Sequence, residues 1–312
     1  MALDHYVSQV HLKQFLRQSD GRLLLATRKS DICEFPTRTM DVCRVEEGST
    51  NDFLTENRVV EDFLKGIEPA YEPCLSRIEG GEVDLNSRQV FAGFLAYIQT
   101  YSPTAFRLFE PMVRAVLERT ISLLEEEGEL TPFKCPEIPD WDGKCLSQLQ
   151  SEGKLDLEIN LRMPQAMATT QLLRITENLA SSDVTVLRPK GRMRFLTSDF
   201  PSIVLGYRQG KFAQRFLPLS PKLGMVFHTE TASEANEVVK HRFVEVGDRK
   251  IEAINDEIIK AAENLVFGTH RFPWLKGKVR KMQNFRTENV TESVGPLIVS
   301  QQRAVKRTHQ SV

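Results

Sequence analysis

Val184-Thr185-Val186-Leu187, Met193-Arg194-Phe195-Leu196-Thr197, Ser202-Ile203-Val204-Leu205, Ala213 to Leu217, Gly224 to His228 and Arg242 to Val246 are short, β-branched or aromatic runs bounded by turn residues. Runs of this kind read as strands. The fold is decided by their position after, and not between, the long helical patterns. From Thr55 to Ile78, apolar residues recur at three- and four-residue steps, with Pro69 and Pro73 expected to kink or split the helix. Asn86 or Ser87 is expected to cap a second helix ending near Tyr101, and Ser102-Pro103 restarts a third that runs to about Leu124, with Pro111 as a bend. Residues 131–142 read as loop, 164–181 as one helix, and Ile251 to Val266 as a last one. Helices, then a strand meander, then a helix is an α+β pattern. The expected fold is a helical N-terminal layer packed on a mainly antiparallel sheet formed by the C-terminal half.

Working outward, residues 1–270 are expected to form a single domain, helical to about 182 and sheet from 183. At the front, Asp4 is expected to cap a helix over 6–17. Ser19-Asp20-Gly21 reads as a turn, and Arg22 to Thr27 as a strand that pairs with Asp31 to Pro36. At the back, 271–312 is a basic extension, expected to be partly disordered past about Pro296. It carries Lys276, Lys278, Arg280, Lys281, Arg286, Arg303, Lys306 and Arg307 against Glu288 and Glu292.

The 312 residues are 41% apolar and 27% charged with net charge −1, which argues for a folded protein and against a global field that would select nucleic acid or membrane. Cys33, Cys43, Cys74, Cys135 and Cys145 are odd in number and lack C-x-x-C spacing, so they read as reduced thiols and not as a disulfide framework or zinc ribbon. Asp4 and His5 stand where a signal peptide would be basic and then apolar, and no apolar run approaches the ~20 residues that span a bilayer. The expectation is a soluble, cytoplasmic protein without a membrane partner.

Three polar sets are candidates for chemistry. His5, Tyr6, Gln9 and Lys13 open the chain, with Gln9 and Lys13 four apart on one helical face. Glu61 and Glu68 are seven apart, two turns of one helix, and Glu72 continues the line. Thr197-Ser198-Asp199-Phe200-Pro201 ends an apolar strand, where a loop residue is exposed and a strand fixes it. If they converge, His5, Glu61, Glu68 and Asp199 are acid–base candidates. Glu61, Glu68 and Asp199 are then also candidate ligands for a divalent metal such as magnesium (Mg). Gln9, Lys13, Ser198 and Arg107 are substrate-binding candidates. Plainer readings stand beside these. Asp4 is only a cap, Gln9 and Lys13 are surface, Glu61 and Glu68 are a solvated stripe, and Asp199 satisfies backbone N–H groups in a turn. His11 reads as surface or packing, and His228 and His241 as structural.

His5-Tyr6-Val7-Ser8-Gln9, then Leu12-Lys13 and Phe15, resembles the opening signature of the family named domain of unknown function 4238, His-Tyr-(Val/Ile)-Pro-Gln. Further likenesses follow in the family's order. Val60-Glu61, Glu68, Leu75 and Ile78 are similar to its paired-glutamate helix, and Phe195 to Pro201 to its Phe-(Ile/Leu)-Thr-Ser-Asp-Asn-Pro strand end. Pro218-Leu219-Ser220-Pro221 is similar to its short proline motif, and Ile254-Asn255 with Ala261-Ala262 to its last helix. Together they cover about residues 4–270. Ser8 replaces the family's proline and Phe200 its asparagine. Tyr101-Ser102-Pro103 stands where Arg-Thr-Pro is usual; if that arginine binds an anion in relatives, this chain has lost the contact or moved it to Arg107. The resemblance implies which residues belong together and carries no activity.

The sharp expectation is a metal-dependent hydrolase acting on a phosphodiester or nucleic acid. The alternative is a non-enzymatic binding or regulatory module, of a host-defence or toxin–antitoxin kind, in which the same residues form a buried hydrogen-bond network. A third is a nucleic-acid partner held by the basic C-terminal arm.

Overall fold

The structure is a computed structural model that describes residues 3–17, 19, 21–46, 50–56, 58–160, 162–206, 214–229, 239–294 and 297–307. Asp20 of the expected turn and Ala213 of the expected strand lie outside them.

The chain opens with β1 (Leu3–His5), α1 (Gln9–Lys13), β2 (Leu24–Arg28), β3 (Glu34–Thr37) and β4 (Arg44–Glu46). The helical layer is α2 (Val59–Glu79), α3 (Leu85–Tyr101), α4 (Pro103–Glu126), α5 (Leu146–Ser151), α6 (Arg162–Thr170) and α7 (Leu172–Ala180). The second half holds β5 (Asp183–Pro189), β6 (Thr197–Ser198), β7 (Ile203–Leu205), β8 (Gln214–Ser220), β9 (Leu223–His228), β10 (His241–Val246), α8 (Asp248–Ala261) and β11 (Leu265–Gly268). The chain then forms α9 (Leu275–Met282), β12 (Phe285–Val294) and β13 (Leu297–Lys306).

The fold is α+β, helices mainly first and sheets mainly antiparallel. One sheet runs β10-β5-β9-β8-β7, with only β10 and β5 parallel. A second runs β3-β2-β11-β6, so the expected β2–β3 hairpin joins late strands in a sheet of its own. The axis of the helical layer is α3, buried along nearly its whole length, with Phe91, Phe94, Leu95, Tyr97 and Ile98 inaccessible to solvent. Among the described residues no helix is long and apolar enough to cross a membrane.

Several boundaries differ from the sequence expectation, each for a local reason. His5 is on a strand paired with Arg44, so the first helix starts at Gln9 and Ser8, not Asp4, caps it. Asp84, not Asn86 or Ser87, caps α3 by accepting from the Ser87 N–H at 2.7 Å. Pro69 and Pro73 do not split α2. Four residues apart, both face solvent, where water can serve the carbonyls they leave without a donor. The single helix expected over 164–181 breaks at Gln171, where the Thr169 and Thr170 hydroxyls bond back to Gln165 and Met167 carbonyls at 2.8 and 2.7 Å. The strand expected over 193–197 is only β6, because the Asn255 amide takes the backbone of Arg194 and Leu196 at 2.9 and 3.0 Å. Ser102 caps α4 as expected, accepting from Ala105 N–H at 3.2 Å with Pro103 at the first helical position.

In the C-terminal extension β13 pairs with β12, from Leu297 opposite Val294 to Lys306 opposite Phe285. Lys29 fastens its start. The ammonium donates to the carbonyls of Ala262 at 2.6 Å and Phe285 at 2.9 Å, and burial pulls its pKa down to about 8.

Candidate functional site

A cleft of about 350 Å³ lies between β1, α1, α2 and the C-terminal half of α3. His5, Gln9, Lys13, Glu61 and Glu68 all line it, with Tyr97 and Tyr101 from α3. Helical spacing explains the acidic wall, since Glu61 and Glu68 are two turns apart on α2.

His5 is held from every side. Its Nδ1 lies 3.1 Å from the Val42 carbonyl, which can only accept, so the proton of the neutral ring is on Nδ1 and Nε2 is the lone-pair nitrogen. The Gln9 amide donates to that Nε2 at 3.1 Å, and Thr39 donates to the Gln9 carbonyl oxygen at 3.2 Å. The Tyr97 hydroxyl donates to the His5 backbone carbonyl. Cys43, next to Val42, has φ 55°, a left-handed conformation that costs about 1–3 kcal/mol in a non-glycine residue. Its carbonyl takes the Tyr6 N–H at 2.8 Å, so the two carbonyls of this turn serve the adjacent residues His5 and Tyr6 at the end of β1. Burial lowers the His5 pKa, against the opposing pull of the Val42 bond, so the ring is neutral at neutral pH.

Ser8 is more than a substitute for proline. Its oxygen caps α1 through Val10 N–H at 3.4 Å, and its hydroxyl donates to Glu68, tying the acidic wall to the first helix. At the rim Glu61 is paired with Arg58. Among the described residues the buried Tyr101 hydroxyl makes no hydrogen bond of proper geometry, and the Gln165 side chain lies nearby.

The strand-end candidates are elsewhere. Asp199 is buried, and its carboxylate accepts from the backbone N–H groups of Glu263 at 2.9 Å, Asn264 at 2.7 Å and Leu265 at 2.8 Å. These N–H groups follow α8 and lead into β11, which is why that helix stops at Ala261 and not at Val266. Burial pushes Asp199 up to about 6, against the pull of its three donors. Asp199 thus makes the contacts of a turn residue and does not line the cleft that holds His5, Glu61 and Glu68. Ser198 is buried and accepts from Phe200 N–H at 3.2 Å. Arg107 is bound to Glu263 at 2.8 Å and Glu288 at 3.3 Å and donates to the Thr287 carbonyl at 3.0 Å. It braces the C-terminal hairpin and does not line the cleft. Glu61, Glu68 and Asp199 thus form no common ligand set. Among the described residues no three His, Cys, Asp or Glu side chains are placed to hold a metal ion.

The residue that joins the sequence motifs is His11, read from sequence as surface or packing. It is fully buried and hydrogen-bonded at both nitrogens, to the Tyr71 hydroxyl and the Thr197 hydroxyl, each at 2.8 Å. Tyr71 donates to the Leu219 carbonyl at 3.4 Å, where a register shift interrupts the β8–β9 ladder. The proton order follows from that carbonyl: Thr197 donates to Nε2, Nδ1 donates to Tyr71, and Tyr71 donates to Leu219. Burial pulls His11 down to about 3. Its ring stacks on Phe94 at 5.0 Å. The signal for it was Tyr71, three residues after Glu68 and so on the same helical face, together with the position of His11 between Val10 and Leu12.

The opening motif, the paired-glutamate helix, the strand end and the proline turn are therefore one connected structure. The family described as protein of unknown function (DUF4238) matches residues 4–272. The chain belongs to this family. The β12–β13 hairpin of this DUF4238 protein lies beyond the matched residues. No curated protein and no solved structure matches the chain.

Proposed function

We propose that this DUF4238 protein is a hydrolase that works by acid–base catalysis in the α1–α2 cleft, with His5 Nε2 as the base. The observation that carries the reading is the fixed tautomer. The Val42 carbonyl holds the proton on Nδ1, which leaves a neutral nitrogen lone pair facing Gln9 beside the Glu68 carboxylate. Substrate displaces Gln9, whose amide then orients it, and Lys13 meets developing negative charge. His5 Nε2 takes a proton from the water that attacks the acyl carbon and returns it to the departing alcohol or amine. Glu68, anchored by Ser8 and within the field of His5, favours the imidazolium formed in between. Glu68 faces Lys13 on the cleft lining while Glu61 is paired with Arg58, so no excess of positive charge marks the cleft for a phosphodiester backbone, and a neutral ester or amide is the favoured substrate.

The test is turnover of p-nitrophenyl acetate beside bis(p-nitrophenyl) phosphate, in the full chain and in His5→Gln. Ester cleavage that falls by about 10²–10⁴-fold in His5→Gln, with the melting temperature kept, is expected. Its rate is flat at neutral pH and declines as acid protonates His5 below its ordinary 6.5. Absence of turnover, or turnover indifferent to His5, removes the reading.

One observation favours a second reading: Gln9 already occupies Nε2 and Thr39 locks Gln9. On that reading the cleft is a rigid recognition surface of a binding or regulatory module, and His5→Gln lowers the melting temperature with no activity to lose. The basic arm gives less support to a nucleic-acid role. Lys278 is bound to Asp256 at 2.5 Å and Glu252 at 3.0 Å, Arg271 to Glu34 at 2.7 Å, and Arg286 to Glu288.

A further inference from the structure

The five-stranded sheet ends on β10, and among the described residues no strand covers that edge. The other edges of the two larger sheets are blunted. On β3 the Cys33 carbonyl accepts from Arg28 N–H at 2.8 Å, and the alternation that follows turns Pro36, which has no N–H, to the outside. β6 is two residues long, and β7, of three, faces the C-terminal hairpin across a small cavity. β10 is six residues, His241–Val246, without proline or glycine. A long edge left open is a template for another strand.

The ladder with β5 fixes which groups are open. The Lys240 carbonyl accepts from Val184 N–H at 3.0 Å, and the Val246 carbonyl from Lys190 N–H at 2.9 Å. Alternate residues of a strand bond to the same side, so Arg242 and Val244 also spend their backbone groups on β5. His241, Phe243 and Glu245 turn N–H and C=O outward, and among the described residues nothing bonds to these groups. The middle of the edge is held firmly. The Arg188 guanidinium lies 4.5 Å from the centre of the Phe243 ring and donates to the carbonyls of Ile78 and Glu79 at 2.8 and 3.0 Å. A strand already fixed in place loses little entropy on pairing.

We propose that β10 is a self-association edge, on which two copies of this chain pair antiparallel about a two-fold axis at Phe243 and join their five-stranded sheets into one. The sequence of the strand selects a second copy as the occupant. Antiparallel pairing sets outward-facing residues against each other, and the longest overlap places Phe243 opposite its counterpart and His241 opposite Glu245. Lys240 and Arg242 then lie opposite Val246 and Val244, which their aliphatic stems cover. No like charges meet, and every outward N–H and C=O of the strand is used. A parallel pairing in register would set Arg242 on Arg242 and Glu245 on Glu245. A shift of the axis to Arg242 also sets like charges together, and a shift to Val244 leaves His241 without an opposing strand residue. The contact is isologous and closes at two copies. β10 contributes no residue to the His5 cleft, so the proposal is independent of any chemistry there.

Sedimentation velocity of the full chain over a concentration series tests it. A monomer–dimer equilibrium is expected, with the amide protons of Phe243 and Glu245 exchanging more slowly as concentration rises. Glu245→Pro removes an outward N–H and none that β5 uses. It takes one hydrogen bond from each copy and raises the dimer dissociation constant about tenfold or more. His241→Glu sets like charges opposite each other and weakens the dimer several-fold, and adding Glu245→Lys restores association. Arg192→Gln, on an exposed loop, leaves it unchanged. If Glu245→Pro does not fold, the charge exchange decides. A chain that stays monomeric at millimolar concentration, or a dimer indifferent to these variants, overturns the proposal. The first outcome leaves the edge to an extended segment of another protein.

Discussion

His5 and His11 stand six residues apart, and both rings are neutral, yet the fold uses them in opposite ways. His5 sits at the end of a strand with one nitrogen tied to a backbone carbonyl and the other accepting from the Gln9 amide in a cleft beside two carboxylates. His11 sits inside α1 and is sealed between Tyr71, Thr197 and Phe94. An imidazole whose nitrogen is held only by a side-chain amide at a cleft can exchange that partner for another. One whose two nitrogens are used by buried hydroxyls instead sets the register of the elements around it. The same contrast separates Glu68 from Asp199: one carboxylate lines an opening, and the other is consumed by three backbone N–H groups.

The largest effect that can break this comparison is on stability. His11→Ala leaves a cavity and takes a hydrogen-bond partner from two buried hydroxyls, so unfolding in denaturant should register a loss of about 4 kcal/mol. His5→Ala, at a half-open site, should lose about 1 kcal/mol. Equal losses would mean that the two rings do the same structural job. Asp199→Ala comes next, at about 3 kcal/mol, because it exposes the end of α8 and the start of β11 to unsatisfied N–H groups. If Asp199→Ala instead melts like the parent, the turn does not depend on that carboxylate.

The smallest effect is the most discriminating. Both histidines have folded pKa values below the ordinary 6.5, so the neutral forms favour the fold. That contribution is complete above about 6.5 and is lost as pH falls toward the folded values. By imidazole nitrogen NMR, His11 should remain neutral down to about pH 4 while His5 takes up its proton first. His11 titrating at or above His5 would contradict its burial.

Much of the fold was legible because it rests on local rules. Periodicity in Val60, Ile67, Tyr71 and Cys74 marks the buried face of α2, Ser102-Pro103 announces α4, and the β-branched runs after Asp183 announce the sheet. The ordered motifs also indicated correctly that residues far apart in sequence belong together. Which of them meet was not legible. Asp199 and Glu68 are both acids in a motif, and only the positions of the Glu263, Asn264 and Leu265 amides make one of them a brace. His11 resembled any histidine between apolar neighbours until Tyr71 and Thr197, 60 and 186 residues away, supplied its partners. The Gln171 break and the late strand β13 likewise depend on side chains bonding to backbone and on a partner strand. The chain by itself determined its class, most of its helices and its family. The assignment of each polar side chain to an opening or to the core was decided by tertiary structure, because hydrogen-bond saturation depends on what the rest of the fold brings within about 3 Å.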